Sequence, residues 1–236
     1  MVRLLLEIIT LVDVAGMYIR GVHDSFHLKM PLRILTLFWL ILLWSTSSGQ
    51  TCTHKNLSYK FDYTTSVKRY PRTDDVMDSC EIKVSVRKKK TGKLVQAVLV
   101  KSGYMLSSDF NNCKDVRSYV TGFNAKRQAV DNNFGSLIVA DLNFDGREDV
   151  AVKRDAGGNG GPFYDYYIQS KKETFVRHPF LSEEMMYFPT KKNKRRQLLT
   201  SYVHAGACAV SEHIYHYQAK THQWTETNHR IIDVCK

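Results

Sequence analysis

Asp141-Leu142-Asn143-Phe144-Asp145-Gly146-Arg147-Glu148-Asp149 carries oxygen-bearing side chains at its first, third, fifth and ninth positions and glycine at its sixth. Alternate residues of such a loop turn their oxygens inward, and the glycine permits the sharp bend between them. That spacing suits a hard cation such as Ca2+. The expected ligands are the side chains of Asp141, Asn143, Asp145 and Asp149, with Arg147 at the seventh position offering its backbone carbonyl. Leu137-Ile138-Val139-Ala140 precedes the loop and Val150-Ala151-Val152 follows it. Both runs are short, apolar and rich in β-branched residues, so both read as strands. An EF-hand would need flanking helices and a glutamate at the twelfth position, which is Val152 here. The loop therefore joins two strands, and that decides the fold class. A plain acidic turn holding no ion is the alternative.

Working outward, Ile82, Val84 and Val86 alternate with Lys83, Ser85 and Arg87. Thr91-Gly92 then turns the chain, and Leu94–Val100 returns as a second strand. This is a β-hairpin with a basic tip, Arg87–Lys90, which reads as an anion-binding patch or as a solvated hairpin end. Residues 107–133 show no clean period and read as loops with at most one short helix. Past the loop, Asp155–Tyr164 holds four glycines and a proline and leads into the strand Tyr164–Gln169. Tyr164, Tyr166 and Ile168 share one face of it; Asp165, Tyr167 and Gln169 share the other. Short strands are expected at Thr174–Val176, Leu198–His204, Val210–Gln218 and Gln223–Thr227, with one helical turn in Ser182–Phe188. The sum is an all-β, antiparallel domain of the sandwich or propeller kind, with the calcium loop between strands.

The formal net charge is +11, nearly all of it in residues 50–236. Arg33, the apolar run from Ile34 to Trp44 and the small residues Ser45–Gly49 give residues 30–49 the character of a secretory signal. The run is too short for an ordinary membrane span, with an uncleaved anchor as the alternative. Residues 1–29 then read as a non-native upstream extension, with Met30 the true start, and residues 50–236 as one domain that is periplasmic or secreted. Export to an oxidising compartment favours disulfides among Cys52, Cys80, Cys113, Cys208 and Cys235. Five is an odd count. The pairing expected is Cys80 with Cys113 and Cys208 with Cys235, leaving Cys52 free, although spacing does not fix connectivity.

No catalytic set is evident, so no enzyme is expected. His213 and His216 fall on opposite faces of a strand, and neither Ser201 nor Ser211 sits in a nucleophile motif. Nucleic acid is not an expected partner.

The stretches Phe134–Val152, Gly157–Gly161 and Phe163–Ile168 together resemble FG-GAP-like bacterial periplasmic proteins. These include calcium-binding immunity proteins that block lysozyme-like toxins, akin to periplasmic lysozyme inhibitors. The resemblance implies calcium on Asp141, Asn143, Asp145 and Asp149. It also implies a glycine-rich contact loop with a following tyrosine, matched here by Gly160, Gly161 and Tyr164, that enters the cleft of a peptidoglycan hydrolase. The competing expectation is a calcium-dependent module for glycans or anionic envelope components, which the basic charge would favour.

Overall fold

The computed structural model describes residues 50–70, 77–126 and 128–235. The expected signal segment and upstream extension lie outside these residues. The described residues form three sheets that follow one another along the chain. The first contains β1 (Thr51–His54), β2 (Phe61–Tyr70), β3 (Met77–Lys88) and β4 (Leu94–Leu106). Its strands are antiparallel in sequence order. The second contains β5 (Val116–Ser118), β6 (Leu137–Ala140), β7 (Asp149–Gly158), β8 (Gly161–Gln169) and β9 (Phe175–Arg177). It is antiparallel except for the parallel pair β5 and β6. The third contains β10 (Lys191–Asn193), β11 (Leu198–Gly206), β12 (Ala209–Gln218) and β13 (Gln223–Asp233). The expected helical turn is a single π-helical one, Phe180–Met185.

The middle sheet is the one to which the other two are fitted. A strand shows successive side chains to opposite faces, and here both faces are covered. Leu137, Val139, Val150, Val152 and Tyr167 face the first sheet, where they meet Phe61, Ile82, Val84 and Val100. Ile138, Ala140, Ala151, Tyr164 and Tyr166 face the other way, against Leu199, Tyr215, Tyr217 and Trp224 of the third sheet and Leu181 and Met185 of the π turn. That explains why Leu137–Ala140 reads as an unbroken apolar run, since a strand buried on both sides has no polar face to keep. The first sheet keeps one solvated face, and the alternation in β3 survives there: Ile82, Val84 and Val86 are buried while Lys83 and Arg87 are exposed.

Two disulfides close the fold. Cys208–Cys235 is the expected one and ties the β11–β12 turn to the chain beyond β13. The expected Cys80–Cys113 bridge is not formed, and Cys113 pairs with Cys52. The reason lies in the strand order. Cys80 is on β3, opposite Arg69 and Ser102 of its two neighbours, and it is buried and free. β1 is the edge strand beside β2. The chain leading into it runs alongside the segment before β5, where Gln50 Nε2 donates to the Asn111 carbonyl at 2.7 Å.

Candidate functional site

The Asp141–Asp149 loop closes the hairpin between β6 and β7, whose last pair is Ala140 opposite Asp149. Phe144 and Gly146 both take positive φ, at 62° and 81°, which folds the loop back on itself. Its side chains satisfy its own backbone: Asp141 Oδ2 accepts from Gly146 N at 3.2 Å, Asn143 Oδ1 from Asp145 N at 3.3 Å, and Asp145 Oδ1 from Arg147 N at 2.8 Å. Asp149 is fully buried. Its Oδ2 accepts from Leu142 N at 2.8 Å and Asn143 N at 3.4 Å, and its Oδ1 from Gln169 N at 2.8 Å. Burial outweighs those three bonds and pushes the Asp149 carboxyl up to about 7, with the nearby charge of Asp145 adding to the rise.

Two cations border this loop. The Arg147 side chain reaches back to Asp145 and donates through Nε to the Gln169 carbonyl at 3.0 Å. Lys192, from β10, donates to the Asp141 carbonyl at 2.8 Å, and burial pulls its ammonium below the usual lysine range. One carboxylate oxygen of the loop remains without a partner: Asp141 Oδ1 is buried and accepts nothing, while Oδ2 holds Gly146 N. A buried, unpaired carboxylate oxygen is costly unless positive charge comes to it. To that extent the oxygens of Asp141, Asn143, Asp145 and Asp149, with the Arg147 carbonyl, fit a hard cation. The cage is not preassembled, however. Among the described residues no three His, Cys, Asp or Glu side chains converge closely enough to hold a metal ion. Coordination would require Asp145 to exchange Arg147 for the ion.

The glycine-rich segment differs from what the sequence suggested. It is the tight β7–β8 hairpin, with Gly158 opposite Gly161. A Cβ on Gly161 would sit 1.9 Å from the Asp131 carbonyl oxygen, and one on Gly160 would sit 2.7 Å from Tyr187 Oη and Val203 Cγ1. These glycines admit the protein's own chain, and both residues are buried. Tyr164 is fully buried. Its hydroxyl donates to the Gly135 carbonyl at 3.0 Å and accepts from Phe134 N at 3.1 Å. Gly160, Gly161 and Tyr164 are therefore packing residues, and the expected insertion of Tyr164 into a partner is corrected on that ground. What the hairpin exposes is Gly158 and Asn159. Asn159 borders an open pocket of about 410 Å3 shared with Asp131, His204, Gly206 and Ala207. His204 Nε2 lies 3.3 Å from Asp131 Oδ1 there.

The third sheet brings together a group that the sequence reading kept apart. Ser211 Oγ lies 2.8 Å from His213 Nε2 and 2.7 Å from His229 Nε2, and His213 Nδ1 lies 2.7 Å from Glu226 Oε1. A carboxylate only accepts, so His213 donates through Nδ1, and in its neutral form it takes the serine proton's hydrogen bond at Nε2. His229 then donates to Ser211. Ser211 and His213 are two apart on β12 and so share a face, a signal that was readable; their partners come from β13, which was not. Ser211 pairs with Val203 on one side and Ile231 on the other, which commits the backbone N–H groups that an oxyanion site would use.

Comparison with known proteins places the fold and no more. No family model matches the chain, and no curated protein matches it. A solved structure described as a Xanthomonas type IV secretion system related protein is similar to it, with a TM-score of 0.51 and 18% identity over 79% of this chain and 84% of that one.

Proposed function

We propose that this is an exported, calcium-binding protein of the immunity or inhibitor kind, which blocks a lysozyme-like peptidoglycan hydrolase at the cell envelope and is not itself an enzyme. One observation carries the binding half of the reading. The β7–β8 hairpin is fixed at its base, where Asp149 holds Gln169 N. It is fixed near its tip, where Asn132 Nδ2 donates to the Gly160 carbonyl at 2.9 Å and to the Tyr202 carbonyl at 2.7 Å. A rigid hairpin showing only Gly158 and Asn159 beside a polar opening is a sound way to offer a small contact surface. The disulfides suit an oxidising compartment. The structural neighbour's description, a type IV secretion system related protein, is compatible with an envelope role.

The test is clearance of a peptidoglycan suspension by lysozymes of the chicken, goose and invertebrate types, with and without the protein. At least one type should be inhibited, and Asn159→Arg should abolish that inhibition while leaving the melting temperature unchanged. No inhibition of any type, together with no muramidase captured from an envelope extract, would contradict the proposal.

A further inference from the structure

A second site borders the Asp141–Asp149 loop. Asn143 and Arg147 of that loop form one wall of a cleft of about 280 Å3, closed on the other sides by β8, β9, β12 and β13. Two side chains lining it are more than nine-tenths buried and keep a donor without a partner: Nε2 of Gln169, 2% exposed, and Nε1 of Trp224, 5% exposed. Buried donors in native proteins are nearly always satisfied, so two orphans on one cleft call for an acceptor that enters from outside. The remaining polar lining points the same way. Arg147 and Arg177 bring guanidinium groups to the rim. Among the described residues no carboxylate lines the cleft; Asp165 and Glu183, which pair with Arg177, are not part of its lining. The aromatic wall is Trp224 and Tyr217, with ring centroids 5.1 Å apart, and Ile168 and Val176 supply apolar surface facing the opening.

The two unpartnered donors select a ligand rich in acceptor oxygens, and the guanidinium groups, Arg147 paired with Asp145 and Arg177 with Asp165 and Glu183, still favour one that is anionic. Aromatic and aliphatic walls select a ligand that also has an apolar face. The cleft is smaller than the usual drug-sized pocket, which limits it to about one ring. We infer that this cleft binds a single sugar unit bearing a carboxylate, held by the Gln169 amide, the Trp224 indole N–H and the Arg177 guanidinium with its ring against Trp224. The site does not depend on the inhibitor reading: it uses none of the β7–β8 tip, and it can hold whether or not a muramidase is blocked.

Calorimetric titration with glucuronate, glucose and free glutamate at matched ionic strength tests it, in calcium and in chelator. Trp224 is the only tryptophan in residues 50–236, so its fluorescence gives a second readout, taken as the difference between wild type and Trp224→Phe. Glucuronate should bind saturably in the millimolar range or below and perturb the Trp224 emission. Glucose and glutamate should bind at least about tenfold more weakly. Arg177→Gln, at a half-exposed position, should weaken glucuronate binding about tenfold with little change in melting temperature. Gln169→Glu should do the same by repulsion, and it is read only if its melting temperature shows it folded. No saturable glucuronate binding up to about 10 mM in either buffer overturns the inference. So does binding of glucose or glutamate as tight as that of glucuronate, or binding that survives Arg177→Gln unchanged.

Discussion

The two loops at the ends of β7 both carry glycine at a turn and differ in kind. Asp141–Asp149 is built by bonds between residues two to seven apart, so its side-chain spacing is its structure. Asp155–Tyr164 takes its form from residues far away: Asp131 and Asn132 from the segment before β6, Tyr187 after the π turn, and Val203 on β11. Spacing reports local geometry well. It does not report which face of a strand a distant layer will cover, and that is why the glycines and Tyr164 read as a contact loop and turn out to be interior.

The sharpest way to break this contrast is at Tyr164. Replacing it by alanine should cost roughly 3–5 kcal/mol of stability, the range for removing a buried aromatic, measured by denaturant unfolding. Tyr164→Phe, which removes only the hydroxyl bonds to Gly135 and Phe134, should cost about 1–3 kcal/mol. An alanine variant as stable as wild type would show that the ring is exposed and restore the contact reading.

The next effect concerns the corrected disulfide. Cys52–Cys113 spans 61 residues, and loss of a bridge of that kind typically costs about 2–4 kcal/mol. Cys52→Ser should therefore lower the melting temperature clearly. In the intact protein, Cys80 should react with iodoacetamide only after unfolding, since it is buried and burial raises its thiol pKa. A non-reducing peptide map linking Cys80 to Cys113 would contradict the strand order around β1.

A smaller effect separates the glycines from one another. Gly161→Ala meets both a φ of +97° and the Asp131 carbonyl, and should cost about 1–3 kcal/mol or more. Gly158→Ala has open space around its Cβ and should stay within about 0.5 kcal/mol of wild type. Equal effects at the two positions would mean that the hairpin is not packed as described.

Legibility followed the same division between local and distant. The β3–β4 hairpin was readable because one face of it is solvated and the apolar alternation survives. The strands around the Asp141–Asp149 loop were readable as β-branched runs. β2 is hard to read in the sequence because Thr64, Thr65 and Ser66 interrupt its apolar alternation, although Phe61, Tyr63, Thr65 and Val67 all point inward. In the candidate site, the oxygen spacing was legible, but the grip of Arg147 on Asp145 and the approach of Lys192 were not. The first is a choice between a side chain and a carbonyl of one residue; the second comes from a strand more than forty residues away.

The central claim is that the Asp141–Asp149 loop takes up calcium by exchanging the Arg147 guanidinium for the ion. Thermal unfolding in chelator and in calcium, on wild type and on Asp145→Ala, tests it most directly. Calcium at about a hundred times its dissociation constant should stabilise wild type by roughly 2.7 kcal/mol. Asp145→Ala should lose most of that gain, because it removes the ligand that Arg147 now holds. A wild-type melting temperature that is the same in chelator and in calcium would contradict the claim.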